Sequence, residues 1–514
     1  MSKRITVYTG VTMKQILVAG IDTSTQSTKI RITDAETGKL VRFGQAKHPE
    51  GTSIHPDRWW EAFLKAKEQA GGLDDVSALS VGGQQHGMVL LDKQGNIVRD
   101  ALLWNDTRSA PEATQLIESL QGKSEQNTDK QSQTLEGKRN WVRAVGLSPV
   151  ASFTVTKIAW VANHEPELAN KVAAICLPHD WLSWRIAGYG PSSPSNHSCR
   201  DTIGLDKLFT DRSDASGTGY FDSTTNNYRR DLIKLAFGRD DVILPKVLNP
   251  NEIGAYADPE IAGKNVAGGC LIAPGGADNA MAALGLNMGI GDVSISLGTS
   301  GVAAAVCQTP IYDMTTAVAG FADCTGHWLP LACTINGSRI IDAGCKALSV
   351  DYEQFANLSA QSTPGAQGIT LIPYFDGERT PDRPNSTASI YGLTLANTKP
   401  SNIARAFTEG LLCSQRDCLE LIKSLGVTVK KILLIGGGAK SSAIRALAPS
   451  ILGSDVTLPK TDEYVAIGAA RQAAWTLSGK EYPPIWQNEI ETTLSGEPNE
   501  EIYKKYLHYR NLEK

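Results

Sequence analysis

Apolar residues occur along this chain in short blocks, and most blocks stop at a cluster of glycine and polar residues. Ile16 to Ile21, Val76 to Val81, Ala101 to Leu103 and Lys431 to Ile435 are too short for helices and read as buried strands. Lys29 to Thr33 and Val293 to Leu297 alternate polar and apolar side chains, the signature of strands with one buried face. Met88 to Asp92 reads as a further strand, and the aromatic Ile175 to Trp181 run as a strand end. Helical spacing appears from His55 onward and at Val155 to Asn163, Glu165 to Ala174, Arg229 to Phe237, Ser401 to Leu411 and Asp462 to Ala470. Gln121 to Asn140, poor in apolar anchors, predicts a solvated helix or a mobile insert, and Tyr189 to Asp201 a loop. Strands alternating with helices predict an α/β fold.

One stretch organises the rest. From Leu271 the chain runs through Pro274-Gly275-Gly276-Ala277 to Asp278, which stands directly before the helix formers Asn279 to Leu284. A carboxylate at a helix start can be a cap, a base kept ionised by the helix dipole, or both at once. Val293 to Leu297 then runs into Gly298-Thr299-Ser300-Gly301, a small loop able to present backbone N–H groups to an anion. The first strand shows the same design: Asp22 to Thr28 form a polar turn with an acid at its entry. There Asp22 suits a metal ion, Thr25 and Gln26 a phosphate, and Lys29 adds charge. Two matching strand–loop hairpins predict two similar domains, each offering one loop to a shared ligand.

Other loops carry candidate recognition chemistry. Gly82 to Gly87 brackets Gln84, Gln85 and His86 at a strand end, a set of donors and acceptors suited to a polyol. Trp104-Asn105-Asp106-Thr107-Arg108 follows the next strand and joins that predicted pocket. Gly436-Gly437-Gly438 ahead of Ser441-Ser442 lets a ring or phosphate approach the backbone. Neither Gly20 nor Gly436 shows the GxGxxG spacing of a dinucleotide site. The small residues of Asp462 to Ala470 predict tight helix packing.

Composition narrows the class. A length of 514 residues exceeds the roughly 250–300 at which one core stops growing, so two domains are expected. Their predicted spans are 13–254 and 255–514, after a disordered extension over 1–12 and with either Met1 or Met13 as the start. A net charge of -4 offers no basic excess for nucleic acid or an anionic membrane. No apolar run approaches the roughly 20 residues that span a bilayer, and no signal peptide is evident. Nine scattered cysteines without a CxxC pair read as reduced thiols of a cytoplasmic protein. A homodimer is the simplest expected assembly.

The ordered motifs GIDTSTQSTK, GQQHG, LWNDTR, SDASGTGYFD, GGADNA, SLGTSG, IPYFDGERTP, ARAFTEG and LIGGGAKS resemble those of the FGGY carbohydrate kinases from Met13 on. The resemblance implies two actin-like (ribonuclease H-like) ATPase domains with a catalytic cleft between them. It implies ATP and Mg2+ as cofactors and a small sugar as partner. GQQHG with SDASGTGYFD favours a ketose, D-xylulose, phosphorylated at its terminal hydroxyl; glycerol-specific members carry Arg-Glu where this chain has Gln85-His86. By the same resemblance Asp278 is the catalytic base. Gln85, His86 and Asn279 touch sugar, as Trp104, Asn105 and Asp106 are expected to. Asp22 serves the metal, and Thr25, Gln26, Lys29, Thr299, Gly337, Gly437, Gly438 and Ser442 serve the nucleotide. The family pattern places a glycine before Thr25, where this chain has Thr23-Ser24. Kinases of ribulose, gluconate or a related polyol remain open, as does a non-metabolic actin-like ATPase.

Overall fold

The structure, a computed structural model, describes residues 15–121, 129–191 and 203–512. The expected extension over 1–12, Met13 and most of the Tyr189 to Asp201 loop lie outside the described residues. Two seven-stranded sheets define two lobes. The first is ordered Ala255–Tyr256, Leu271–Ile272, Val76–Gly83, Leu17–Thr23, Ser27–Asp34, Leu40–Lys47, with Gly276–Ala277 also paired to Val76–Gly83. The second is ordered Val318–Ala322, Trp328–Thr334, Gly301–Ala305, Asp292–Leu297, Lys431–Ile435, Val456–Pro459, Ile490–Leu494.

The two sheets repeat one scheme. Leu17–Thr23 pairs antiparallel with the strand that follows it and parallel with Val76–Gly83. Asp292–Leu297 pairs antiparallel with Gly301–Ala305 and parallel with Lys431–Ile435. Three of the four short apolar blocks thus become central strands, Leu17–Thr23, Val76–Gly83 and Lys431–Ile435, largely buried as parallel pairing requires, whereas Ala101–Leu102 pairs antiparallel with Ser53–Ile54 in a separate two-stranded sheet.

Several elements differ from the sequence pattern. The first sheet keeps gaining strands as far as Ala277, so the first lobe runs beyond the division expected near Gly254. Hydrogen bonding to a distant strand, which no local pattern reports, carries it there. Asp22 lies inside the strand rather than in the turn, because Asp22 and Thr23 continue the ladder to Gly82 and Gly83. The turn shortens to Ser24, Thr25 and Gln26. Ser213 to Ser216 form a buried helix, Arg212–Ser216, capped by Asp211. His179 and Asp180, expected at a strand end, start the helix Pro178–Ile186 instead. Of the Gln121 to Asn140 segment, residues 122–128 lie outside the described residues, and the helix Lys130–Val145, capped by Asp129, takes up the end of the segment and runs on beyond it. The helix predicted from Ser401 runs over Pro400–Ser424, and its N-cap is Lys399 rather than Ser or Asn.

The helix Tyr464–Ser478 closes one face of the first sheet and crosses the helix Asp278–Gly285. Glycines make that crossing possible. A Cβ on Gly20 would lie 1.8 Å from Ala466 O, one on Gly468 1.9 Å from Met281 O, and one on Gly285 2.0 Å from Tyr464 O. The small-residue run expected to pack tightly does so, and it holds the central strand and the Asp278 helix in one block.

Candidate functional site

Three parallel segments deliver the site. Asp22 stands beside Gly82, and Gly276 stands on the other side of Gly82. The carboxyl ends of these neighbouring strands therefore lead together into the Ser24–Gln26 turn, the Gln84–His86 loop and Asp278. Loops at the carboxyl ends of parallel strands are the usual location of ligand sites in α/β sheets.

Asp278 is the first residue of its helix, and Ala277 is the N-cap. The carboxylate therefore does not act as the cap. Its Oδ1 accepts from Asn279 N at 2.7 Å and Asn279 Nδ2 at 3.0 Å. Asn279 Nδ2 also donates to Gln85 Oε1 at 2.9 Å. Burial pushes the Asp278 carboxyl up to about 7; the Asn279 amide opposes the shift, and the charges of Asp214 and Asp22 add to it.

His86 occupies the left-handed region with φ 69°, a costly conformation for a residue with a Cβ. Its ring packs edge-on against Phe153, with centroids 4.7 Å apart, and lies near Phe321 of the second lobe. Burial, reinforced by the Lys157 charge, holds its pKa well below the usual histidine value. Nδ1 lies 2.8 Å from the carbonyl of Gly217, which can only accept, so Nδ1 carries the proton. In the neutral ring Nε2 is then an acceptor for a hydroxyl.

The first hairpin is tied to the same loops. Trp104 Nε1 donates to Thr25 Oγ1 at 2.9 Å, and Thr25 Oγ1 donates to Gln84 Oε1 at 3.3 Å. Gln26 is exposed at the tip. Lys29, expected to add charge toward phosphate, is instead bound to two acids: Nζ lies 3.4 Å from Asp22 Oδ2 and also donates to Glu463, next to the helix Tyr464–Ser478. The reason is tertiary, since Glu463 comes from more than four hundred residues away. Asp22 Oδ1 is buried without a hydrogen-bond partner, and burial, against the pull of Lys29, raises its pKa to about 6. Among the described residues no group of three or more His, Cys, Asp or Glu could cage a metal. One carboxylate with a spare oxygen fits Mg2+ that arrives on phosphates and keeps most of its water.

Trp104 is half-exposed, whereas Asp106 is spent on structure. Asp106 Oδ2 accepts from Thr52 Oγ1 at 2.8 Å, and Oδ1 accepts from Arg108 N and Nε at 3.1 and 2.8 Å. Asn105 Nδ2 reaches the Gly51 carbonyl at 3.4 Å.

In the second lobe Thr299 is exposed at the tip of the matching hairpin. Gly337 lies beneath that tip, where its N–H donates to Thr299 O at 2.9 Å and a Cβ would lie 2.5 Å from Gly298 O. Gly437, Gly438 and Ser442 line a cavity of about 520 Å³ with Ser338, Asp342 and Tyr352. The Tyr352 hydroxyl donates to Asp342 at 2.7 Å beside that cavity.

A buried group escaped the sequence reading. His179, Asp180, Asp211 and Asp214 are nearly or wholly inaccessible to solvent. His179 Nδ1 lies 2.8 Å from Asp214 Oδ2, and Nε2 lies 3.1 Å from Asp180 Oδ1. Burial works against a charged His179, but Asp180 and Asp214 outweigh it and carry the ring up to about 9. The only signal was a pair of ionisable residues inside the apolar run Ile175 to Trp181.

The duplicated strand–hairpin sheets, with an acid and a polar loop at the strand ends of the first lobe and a cavity of about 520 Å³ in the second, make up a two-domain α/β fold of the actin-like ATPase class. Residues 17–285 match the N-terminal domain of the FGGY family of carbohydrate kinases, and residues 293–477 match its C-terminal domain. The chain belongs to that family, and it is a carbohydrate kinase. It is 41% identical over 472 residues to the xylulose kinase of Streptomyces coelicolor, covering 90% of this chain and 89% of the relative. The xylulose kinase structure from Bifidobacterium adolescentis is 65% identical, with a TM-score of 0.92 over 96% of this chain and 99% of that one. A gluconate kinase structure from Lactobacillus acidophilus shares the fold at a TM-score of 0.81 and 19% identity, covering 97% of this chain and 98% of that one. Among the described residues no helix is long and apolar enough to cross a membrane.

Proposed function

We propose that the protein transfers the terminal phosphoryl group of ATP to the terminal hydroxyl of D-xylulose, giving ADP and D-xylulose 5-phosphate. The observation that carries this reading is the 65% identity, along nearly the whole chain, with a protein that is a xylulose kinase.

The residues support a division of labour. Asp278 orients the attacking hydroxyl and takes its proton late, which suffices because phosphoryl transfer proceeds through a loose transition state. Gln85, Asn279 and His86 Nε2 hold the sugar, with Trp104 as a wall. The hairpins at Thr25 and Thr299 hold phosphates, and the cavity at Gly437, Gly438 and Ser442 takes the adenosine. Mg2+ bound to the ATP phosphates would neutralise charge as it develops, with Asp22 meeting it from the protein side. Closing two lobes on the substrates excludes water and limits wasteful hydrolysis. Free thiols at all described cysteines fit a cytoplasmic setting.

The test is ADP release measured against a panel of D-xylulose, ribulose, gluconate and glycerol. D-Xylulose is expected to give the highest kcat/KM. A higher value for another substrate would move the assignment to that sugar, and sugar-independent release at the same rate would overturn the kinase reading.

A further inference from the structure

The buried His179 cluster has no part in binding or proton transfer as described above, yet its connections end at the two groups that matter most. Its hydrogen-bonded links to them pass through one short segment, Asp211 to Gly217. Asp211 Oδ2 and Oδ1 accept from Ser213 N and Asp214 N at 2.8 and 2.9 Å, which fixes the start of the helix Arg212–Ser216. Ser213 Oγ accepts from Ala277 N at 3.1 Å, one residue before Asp278. Gly217 O fixes the His86 ring through Nδ1 at 2.8 Å. Ser216 Oγ accepts from Ala322 N of the second lobe at 3.0 Å.

His179 is the wedge that sets this segment. Its Nδ1 holds Asp214 in the middle of the helix. Its ring also fills the space beside Gly275, where an added Cβ would lie 2.4 Å from His179 Cδ2, while its Cβ and backbone lie against Gly83, where an added Cβ would lie 2.8 Å from His179 Cβ and 3.1 Å from His179 N. Gly83 leads to the sugar loop and Gly275 to the acid, so one residue packs against both approaches. A wholly buried ion pair is a costly way to fill space, since apolar residues of like volume do it as well or better. Its retention between two functional loops points to geometry rather than stability.

We propose that His179 and Asp214 are positioning residues for phosphoryl transfer, which through Ser213 and Gly217 hold the Asp278 carboxylate and the His86 ring in one fixed register. The inference rests on the assignment of Asp278 and His86 made above. A misplacement of about 1 Å costs on the order of a hundredfold in rate, so a bond this far from the chemistry has a kinetic signature.

The experiment is steady-state kinetics on full-length Asp214→Asn and Ser213→Ala, with D-xylulose and ATP varied in turn. Asp214→Asn keeps the shape but removes the charge that holds His179. It is expected to lower kcat about tenfold and raise the sugar KM about fivefold, with the ATP KM within about twofold of wild type. Ser213→Ala removes one oxygen on the Asp278 side only, so kcat is expected to fall about fivefold with the sugar KM within about twofold. Wild-type kinetic constants in both variants would overturn the proposal even if their melting temperatures fell. An equal rise of the sugar and ATP KM in Asp214→Asn would do so too. If Asp214→Asn does not fold, Ser213→Ala decides alone. Turnover of the wild-type enzyme on D-xylulose tests the underlying assignment separately, because its failure would leave the two variants without a reaction to compare.

Discussion

The side-chain amide of Asn279 donates to Gln85 Oε1 at 2.9 Å, which joins the helix that starts at Asp278 to the Gln84–His86 loop. The same nitrogen donates to Asp278 Oδ1, so one amide sets the orientation of both neighbours. Replacing Asn279 by Leu leaves Gln85 Oε1 and Asp278 Oδ1 each short of a donor. Steady-state kinetics should show kcat about tenfold lower and the sugar KM raised, with the ATP KM unchanged.

Asp278→Asn removes the carboxylate proposed to accept the proton and keeps the shape. Turnover should fall by about 10²–10⁴, the usual contribution of a general base, while ADP binding measured by calorimetry stays as in wild type. The same variant should melt about 2–4 °C higher at pH 8, since the ionised acid is held where burial disfavours it. A lower melting temperature would argue that the carboxylate is structural.

The pH dependence follows from the same shift. Asp278 must be ionised to accept a proton, so kcat/KM for the sugar should fall as pH drops through about 7. Stability runs the other way. A carboxylate whose folded pKa lies above its unfolded value of 3.8 binds more protons when folded, so Asp278 costs stability as pH rises from about 4 to 7. Asp278→Asn should flatten that part of a melting-temperature profile, and an unchanged profile would refute the assignment of the shift to this group.

His86→Ala and His86→Gly separate the ring from the backbone. Both lose the Nε2 acceptor, and both should raise the sugar KM about tenfold while leaving sugar-free ATP hydrolysis unaltered. Only Gly relieves the positive φ, so it should melt above Ala. Parallel loss of both activities would make His86 a packing residue.

Gly468→Ala tests the block behind the site. Its Cβ would meet Met281 O at 1.9 Å, a backbone atom that cannot turn aside. Destabilisation of about 3 kcal/mol is expected in chemical unfolding, with activity lost as the Asp278 helix is pushed away.

Much of this protein was legible in its residues because the relevant signals are local. Short apolar blocks ending in glycine mark the central strands, Asp278 stands ahead of a run of helix formers, and the two polar turns repeat. Lys29 illustrates where local signals end: its neighbours suggest a phosphate ligand, but Glu463, distant in sequence, joins Asp22 in taking up its charge. His179 and Asp214 lie thirty-five residues apart and meet only after Pro178–Ile186 and Arg212–Ser216 have packed. The sequence by itself therefore determined the central strands, the longer amphipathic helices and the two-lobe duplication, and it singled out Asp278. Tertiary structure alone decided that the first lobe extends to Ala277, which charges are free, and which buried groups stand behind Asp278. The reason is that periodicity and capping depend on neighbours within a few residues, whereas strand register, ion pairing and burial are fixed by partners that the fold brings from far along the chain.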